Sequence, residues 1–238
     1  MISFVIPAHN EADYLPTTLH ALRAALEELG DRQADAAEII VVNDASTDRT
    51  AEVAAAEGAT RVLNVDVRQI AAARNAGAKV ARGRWLFFLD ADTCVNVEVL
   101  RAACSAMAHE AVGGGARVYF DLDLTPPLHA AMAAWNTVSR LTRWAAGCFV
   151  FVRRDAFESV GGFNESLFAA EEIDLSARLH RLGPFGILRQ HVTTSARKLE
   201  SHSAMDHLLL LRKTIITRGK ILRGRDALDL WYAVRQEP

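Results

Sequence analysis

Five consecutive apolar residues, Trp85 to Leu89, run straight into Asp90-Ala91-Asp92. A run so short and so uniformly apolar reads as a strand buried on both faces, the kind found in parallel sheets covered by helices. Two earlier segments repeat the pattern: Ile2 to Ile6, stopped by Pro7, leads to Asn10-Glu11, and Ile39 to Val42 leads to Asn43-Asp44. Arg61 to Val65 reads as a further strand. Between the strands the spacing predicts helices. Leu15, Leu19, Leu22, Leu26 and Leu29 recur along one face, Thr50 to Glu57 is short, and Ile70 to Ala81 is rich in alanine. The expected class is α/β, a mostly parallel central sheet with helices on both faces.

The second half is less regular. Gly113-Gly114-Gly115 reads as a turn or a point of close approach, and Arg117 to Leu124 as a strand ended by Pro126-Pro127. A helix from Leu128 to about Trp144, a strand from Phe149 to Val152, a turn at Gly161-Gly162 and a helix from Glu171 to Leu182 follow. From Ser203 the chain reads as helical, rich in leucine and base.

Position makes the acids informative. In a parallel sheet Glu11, Asp44, Asp90 and Asp92 all fall at the carboxyl edge, where open α/β proteins bind ligands. Four carboxylates on one edge repel one another unless something positive joins them, and hard oxygens suit Mg²⁺ or Mn²⁺ carrying a polyphosphate. If the backbone stays extended, alternation sends Asp90 and Asp92 to one side, one for a ribose hydroxyl and one for the metal. The competing reading is a loop whose acids cap the helix near Asn96. Lys plus Arg total 27 against 29 Asp plus Glu, a net charge of -2, which argues against a nucleic-acid binder. Three widely spaced cysteines, with no signal peptide and no apolar run of about 20 residues, fit a reduced cytoplasmic setting or peripheral attachment to a membrane.

Four ordered blocks carry a family resemblance: Phe4-Val5-Ile6-Pro7-Ala8-His9-Asn10-Glu11, Val41 through Thr50, Ala73-Arg74-Asn75-Ala76-Gly77, and Arg82 through Thr93. In order and spacing they resemble the family 2 glycosyltransferases, and the likeness extends to about Leu182. It implies a GT-A fold over residues 1–202, with a nucleotide-binding half to about residue 110, an acceptor-binding half over 111–202, and a helical extension over 203–238. It also implies roles. Pro7, Ala8, Glu11 and Ala91 line the nucleotide pocket, and Asp44 accepts a hydrogen bond from the base, unless it is a turn or cap residue before the helix at Thr50. Asp90 takes the ribose and Asp92 the metal. Arg74 reaches the nucleotide, against the plainer reading of a surface arginine.

Members of the family commonly carry Glu-Asp where this chain has Glu171-Glu172, so Glu172 aligns with the catalytic base and Glu171 is the second candidate. The alternative is that both acids stabilise a first helical turn. Arg197 and Lys198 are candidates for the diphosphate and His202 for a further metal ligand, against a solvated basic turn and a histidine that binds nothing. Leu208 to Arg225 reads either as a helix packed on the domain or as an interfacial helix at an anionic membrane with a lipid-linked acceptor.

The implied reaction is Mn²⁺- or Mg²⁺-dependent transfer of one sugar from a nucleoside diphosphate sugar, taken as UDP-linked, to a saccharide or lipid-linked acceptor hydroxyl with inversion. No Q-x-x-R-W signature of processive synthases follows the acid helix. A nucleotidyltransferase shares the metal and the acids, but a Gly-rich basic loop should then follow the first strand. A non-catalytic relative that only holds the nucleotide sugar is the third reading.

Overall fold

The computed structural model describes residues 1–30, 37–122 and 125–197. In chain order the elements are β1 (Ile2–Ala8), α1 (Leu15–Leu29), β2 (Ala37–Asp44), α2 (Thr50–Ala56), β3 (Arg61–Val65), α3 (Ile70–Val80), β4 (Trp85–Leu89) and β5 (Thr93–Cys94). There follow α4 (Val97–Ala108), β6 (Gly113–Phe120), α5 (Pro126–Thr142), β7 (Phe149–Arg153), α6 (Arg154–Ser159), α7 (Glu171–His180) and β8 (Phe185–Thr194). The strands form one sheet in the order β3-β2-β1-β4-β7-β6-β8-β5.

The first four neighbours, β3-β2-β1-β4, are parallel, as the apolar runs imply. Beyond β4 the sheet is mixed. β7 pairs antiparallel with both β4 and β6, whereas β6 and β8 run parallel. Leu86, Phe87, Phe88 and Leu89 of β4 are fully buried. Alternation sends Phe87 to a core under α1 and α4 and Phe88 to a core under α3 and α7. Burying each such side chain contributes about 1.5–3 kcal/mol. β4 therefore fastens the two layers together.

Some boundaries differ from the sequence reading for identifiable reasons. β1 continues through Pro7 to Ala8, because Pro7 lies past Val5, the last residue paired with β4, and stays in register with Val42 of β2. Gly113 to Gly115 open β6 rather than turn. A Cβ at Gly113 would stand 2.6 Å from Phe151 O and one at Gly114 2.4 Å from Gly186 O, so close approach is what requires them. Pro126 and Pro127 begin α5, where a missing N–H costs nothing. β8 had no signal in hydrophobic periodicity: half of its ten residues are polar and most are partly or fully exposed. The proposed extension over 203–238 lies outside the described residues.

Candidate active site

The sheet's parallel order puts the ends of β2, β1 and β4 side by side, and hydrogen bonds between their loops fix the edge. Asn10 N donates to Ser46 Oγ (3.0 Å), Thr47 N to Asn10 Oδ1 (2.8 Å), Glu11 N to Thr50 Oγ1 (2.8 Å) and Ala12 N to Asp48 Oδ2 (3.1 Å). Asn10 and Ala45 take positive φ, 53° and 52°, where the chain leaves β1 and β2. Much of both motifs thus positions one loop against the other. Asp48 also caps α2 by accepting from Thr50 N (2.9 Å).

Asp44 is 5% exposed, and its carboxylate organises the next loop. Oδ1 accepts from Val67 N and Arg68 N, both at 2.8 Å, and Oδ2 from Gln69 N at 3.1 Å. It therefore orders the entry to α3 rather than the helix at Thr50. His9 Nδ1 lies 2.6 Å from Asp44 O, joining the ends of β1 and β2.

Arg74 is not a surface arginine. It is 1% exposed beneath the edge. Nη1 donates to Glu171 Oε1 (2.7 Å), and Nη2 to Asp90 Oδ1 (2.8 Å) and Gly147 O (2.8 Å). Burial opposes its charge, but Asp90 and Glu171 outweigh burial and hold the guanidinium protonated. One residue of α3 thereby ties together the end of β4, the segment before β7 and the start of α7. Its three preceding alanines let α3 lie close to the sheet, as does Gly77, where a Cβ would stand 2.4 Å from Val5 Cγ1.

The acid pair at the start of α7 is asymmetric. Glu171 is buried against Arg74. Glu172 is half-buried, and among the described residues no cation pairs with it. Burial first, and the neighbouring Glu171 charge second, push its carboxyl up to about 8. Gly147 leaves room beside it, since a Cβ there would lie 3.5 Å from Glu172 Cδ.

Asp90 and Asp92 do not share an extended backbone. Thr93 N donates to Asp90 O (3.2 Å), closing a turn that sends the two carboxylates to different partners, Asp90 to Arg74 and Asp92 to Arg197. Asn96 itself caps α4, accepting from Val99 N. Arg197 Nη2 lies 2.8 Å from Asp92 Oδ2 and 2.5 Å from Glu11 Oε1, and the guanidinium covers the Tyr14 ring at 4.3 Å. Glu11 and Asp92, from the ends of β1 and β4, thus meet on one cation. Two hard carboxylate oxygens so placed fit a divalent ion, although among the described residues no three acidic, His or Cys side chains cluster as a full ligand set. Pro7, Ala8 and Ala91 are buried, and Ala91 O accepts from Thr18 Oγ1 (2.8 Å), so these three offer backbone at most. Lys198 and His202 lie outside the described residues.

Sequence reasoning missed several supports. Asn75 exchanges hydrogen bonds with the backbone of Phe163 (2.9 Å each way) and donates to Glu165 Oε1 (2.8 Å). Gln69 Nε2 donates to Glu165 O (2.6 Å) and Leu167 O (3.0 Å). Both hold the loop leading into the acid helix. Asn75 stood in plain view beside Arg74, but nothing in a single sequence says what a helical asparagine touches.

A model of the family described as Glycosyl transferase family 2 matches residues 3–161, a span holding Glu11, Asp44, Arg74, Asp90 and Asp92. The chain is 36% identical over 123 residues to the succinoglycan biosynthesis protein ExoO of Rhizobium meliloti, covering 50% of this chain and 32% of that protein. Across the first curated relatives it matches, the chain spans 32% to 62% of their length. Its fold is similar to S. aureus TarS 1–349 in complex with UDP-GlcNAc (TM-score 0.65, 18% identity, covering 94% of this chain and 67% of that one). It is equally similar to the mannosyltransferase PcManGT of Pyrobaculum calidifontis in complex with GDP-Man and Mn²⁺ (TM-score 0.65, 17% identity, covering 100% and 65%). With strand-end acids, a mixed sheet and a family match over most of its length, this chain belongs to glycosyl transferase family 2.

Proposed function

We propose that the protein transfers a single sugar from a uridine diphosphate sugar to an acceptor hydroxyl, with inversion and with the help of Mn²⁺ or Mg²⁺. The observation that carries this reading is the asymmetry of the acid pair. Glu171 is committed to Arg74, while Glu172 is half-buried, lacks a cation among the described residues and has a raised pKa. Raised basicity suits a group that must take a proton from a hydroxyl near neutral pH. A base on one side of the sugar and a leaving diphosphate on the other describe a single displacement, hence inversion.

Asp92 and Glu11 are the residues that would hold the ion, and Asp90 keeps Oδ2 for a ribose hydroxyl. When bound, the ion neutralises charge developing on the departing diphosphate. Arg197 is placed to turn from the two acids to the diphosphate, with Lys198 beside it in sequence. Asp44 Oδ2 has one backbone donor and retains a lone pair for the N3–H of uracil. That TarS is complexed with UDP-GlcNAc and PcManGT with GDP-Man and Mn²⁺ supports a nucleotide-sugar donor on this fold.

The test is a panel of nucleoside diphosphate sugars with and without Mn²⁺. A UDP-sugar should raise Tm, because a ligand that binds only the native state stabilises it. It should turn over only with metal, into a product of opposite anomeric configuration by NMR. Glu172→Gln should keep the Tm shift and lose turnover. Pyrophosphate release from a nucleoside triphosphate plus sugar phosphate would overturn the reading in favour of a nucleotidyltransferase.

A further inference from the structure

One groove among the described residues lies away from the strand-end acids. It holds about 700 Å³ between α5 and the β6–β8 pair, and Arg117, Arg140 and Arg143 line it with His129 and Tyr119. Among the described residues no carboxylate lines it. Arg117 donates to Arg189 O (3.3 Å) and Tyr119 Oη (3.1 Å), and its buried Nε has no partner among the described residues. Arg143 Nη1 lies 2.8 Å from His180 Nε2. Among the described residues none of the three arginines is ion-paired. Three uncompensated guanidiniums round one groove, in a chain of net charge -2, form a local anion site.

The rim is apolar. Seven large apolar side chains are exposed among the described residues, and four of them, Val138, Leu141, Trp144 and Leu182, sit at the C-terminal ends of α5 and α7. Val138 and Leu141 lie one turn apart on α5, and Leu141, 79% exposed, also lines the groove. Trp144 follows Arg143, and Leu182 comes two residues after the His180 that meets Arg143. Clustered exposed leucine and tryptophan beside arginine match an anionic amphiphile better than a soluble anion, which would have no use for the apolar rim.

We infer that this groove binds a lipid phosphate, its head among Arg117, Arg140 and Arg143 and its chain over Val138, Leu141, Trp144 and Leu182. Residues 198–238 carry eight Lys and Arg against five Asp and Glu, so their net charge has the same sign as the groove. The groove shares a sheet face with α7. The eight steps from Glu172 to the His180 that meets Arg143 span ~12 Å at the helical rise. Two sources share this chemistry, a bulk anionic phospholipid and a phosphorylated lipid carrier. The inference concerns binding and does not depend on the transfer reaction proposed above.

Flotation of the full chain tests it, with three vesicle types: phosphatidylcholine alone, phosphatidylcholine with phosphatidylglycerol, and phosphatidylcholine with a polyprenyl phosphate. The chain should float with vesicles carrying lipid phosphate of net negative charge and not with phosphatidylcholine alone. Binding to phosphatidylglycerol identifies bulk phospholipid as the source; binding only to polyprenyl phosphate identifies the carrier. The Arg140→Glu/Arg143→Glu variant should lose binding by roughly tenfold or more. Leu141→Ser/Trp144→Ser, which leaves the charge intact, should weaken it as well. Arg61→Glu/Lys79→Glu, exposed on β3 and α3 and not lining the groove, should bind like the wild type. Equal binding to phosphatidylcholine, or loss in the 61/79 variant with none in either groove variant, overturns the inference. So does a full chain that floats with no vesicle, which would mean that residues 198–238 or a protein partner fill the groove.

Discussion

Arg74 Nη1 lies 2.7 Å from Glu171 Oε1, and that bond separates the roles of two adjacent glutamates. Glu171 compensates a buried cation. Glu172, one residue on, forms no ion pair with it and feels its charge only at longer range. In the sequence only the resemblance ranks Glu172 ahead of Glu171; what distinguishes them physically is a guanidinium arriving from 97 residues earlier.

Substitution should expose this division. Glu171→Gln leaves a buried guanidinium short of one partner, and breaking a buried pair costs about 3–5 kcal/mol. The low end, about 3 kcal/mol, is expected because Asp90 and Gly147 O stay in place. Glu172→Gln should cost no stability at neutral pH, yet reduce kcat by about 10²–10⁴ through loss of the base. Denaturant unfolding and turnover of both variants check the pair, and equal losses of stability would refute the assignment.

The donor-free enzyme should also carry the Glu172 shift into its pH dependence. The native state raises this pKa above the ordinary carboxylate range. Between the unfolded and native values the folded protein therefore binds more protons, and stability from this group falls as pH rises through that window. Glu172→Gln removes the dependence, so the variant should gain stability relative to wild type between about pH 5 and about pH 9. Parallel stability curves across that range would show that the carboxyl is unperturbed.

How much of this was legible without coordinates follows from which interactions are local. The apolar runs gave the parallel half of the sheet because burial on both faces leaves its mark on every residue of a strand. β8 left no such mark, since partial exposure allows it Arg189, Gln190 and His191. The positions of Glu11, Asp44, Asp90 and Asp92 at one edge were readable from strand ends alone. Their partners were not. The burial of Arg74 and the meeting of Glu11 with Asp92 on Arg197 depend on contacts 16 to 186 residues apart. No periodicity encodes contacts of that separation.

Arg197 occupies the place proposed for the ion, so removing it should act oppositely on metal and donor. Arg197→Gln leaves Glu11 and Asp92 without their shared cation and should raise Mn²⁺ affinity in the absence of donor by roughly 3–10-fold, under about 1.4 kcal/mol. The same change should weaken UDP-sugar binding at saturating Mn²⁺ if the side chain turns to the diphosphate. Titration calorimetry measures both. Weaker Mn²⁺ binding would mean that the guanidinium organises the acids rather than competing for them.

Asp44 presents the sharpest conflict between a structural and a recognition role. Its three backbone donors, Val67, Arg68 and Gln69, order the entry to α3, the helix that carries Arg74. Hydrogen bonds to a charged acceptor contribute about 1.5–3 kcal/mol each, so Asp44→Ala should lower stability clearly even without ligand. Asp44→Asn is more telling. An amide can keep one oxygen toward Val67 and Arg68, but it then turns an NH₂ toward Gln69 N and the base, where a donor meets a donor. Loss of UDP affinity should therefore exceed loss of CDP affinity, because cytosine presents an acceptor at N3 where uracil presents N–H. Equal losses for the two nucleotides would assign Asp44 to the scaffold alone and leave recognition of the base to other residues.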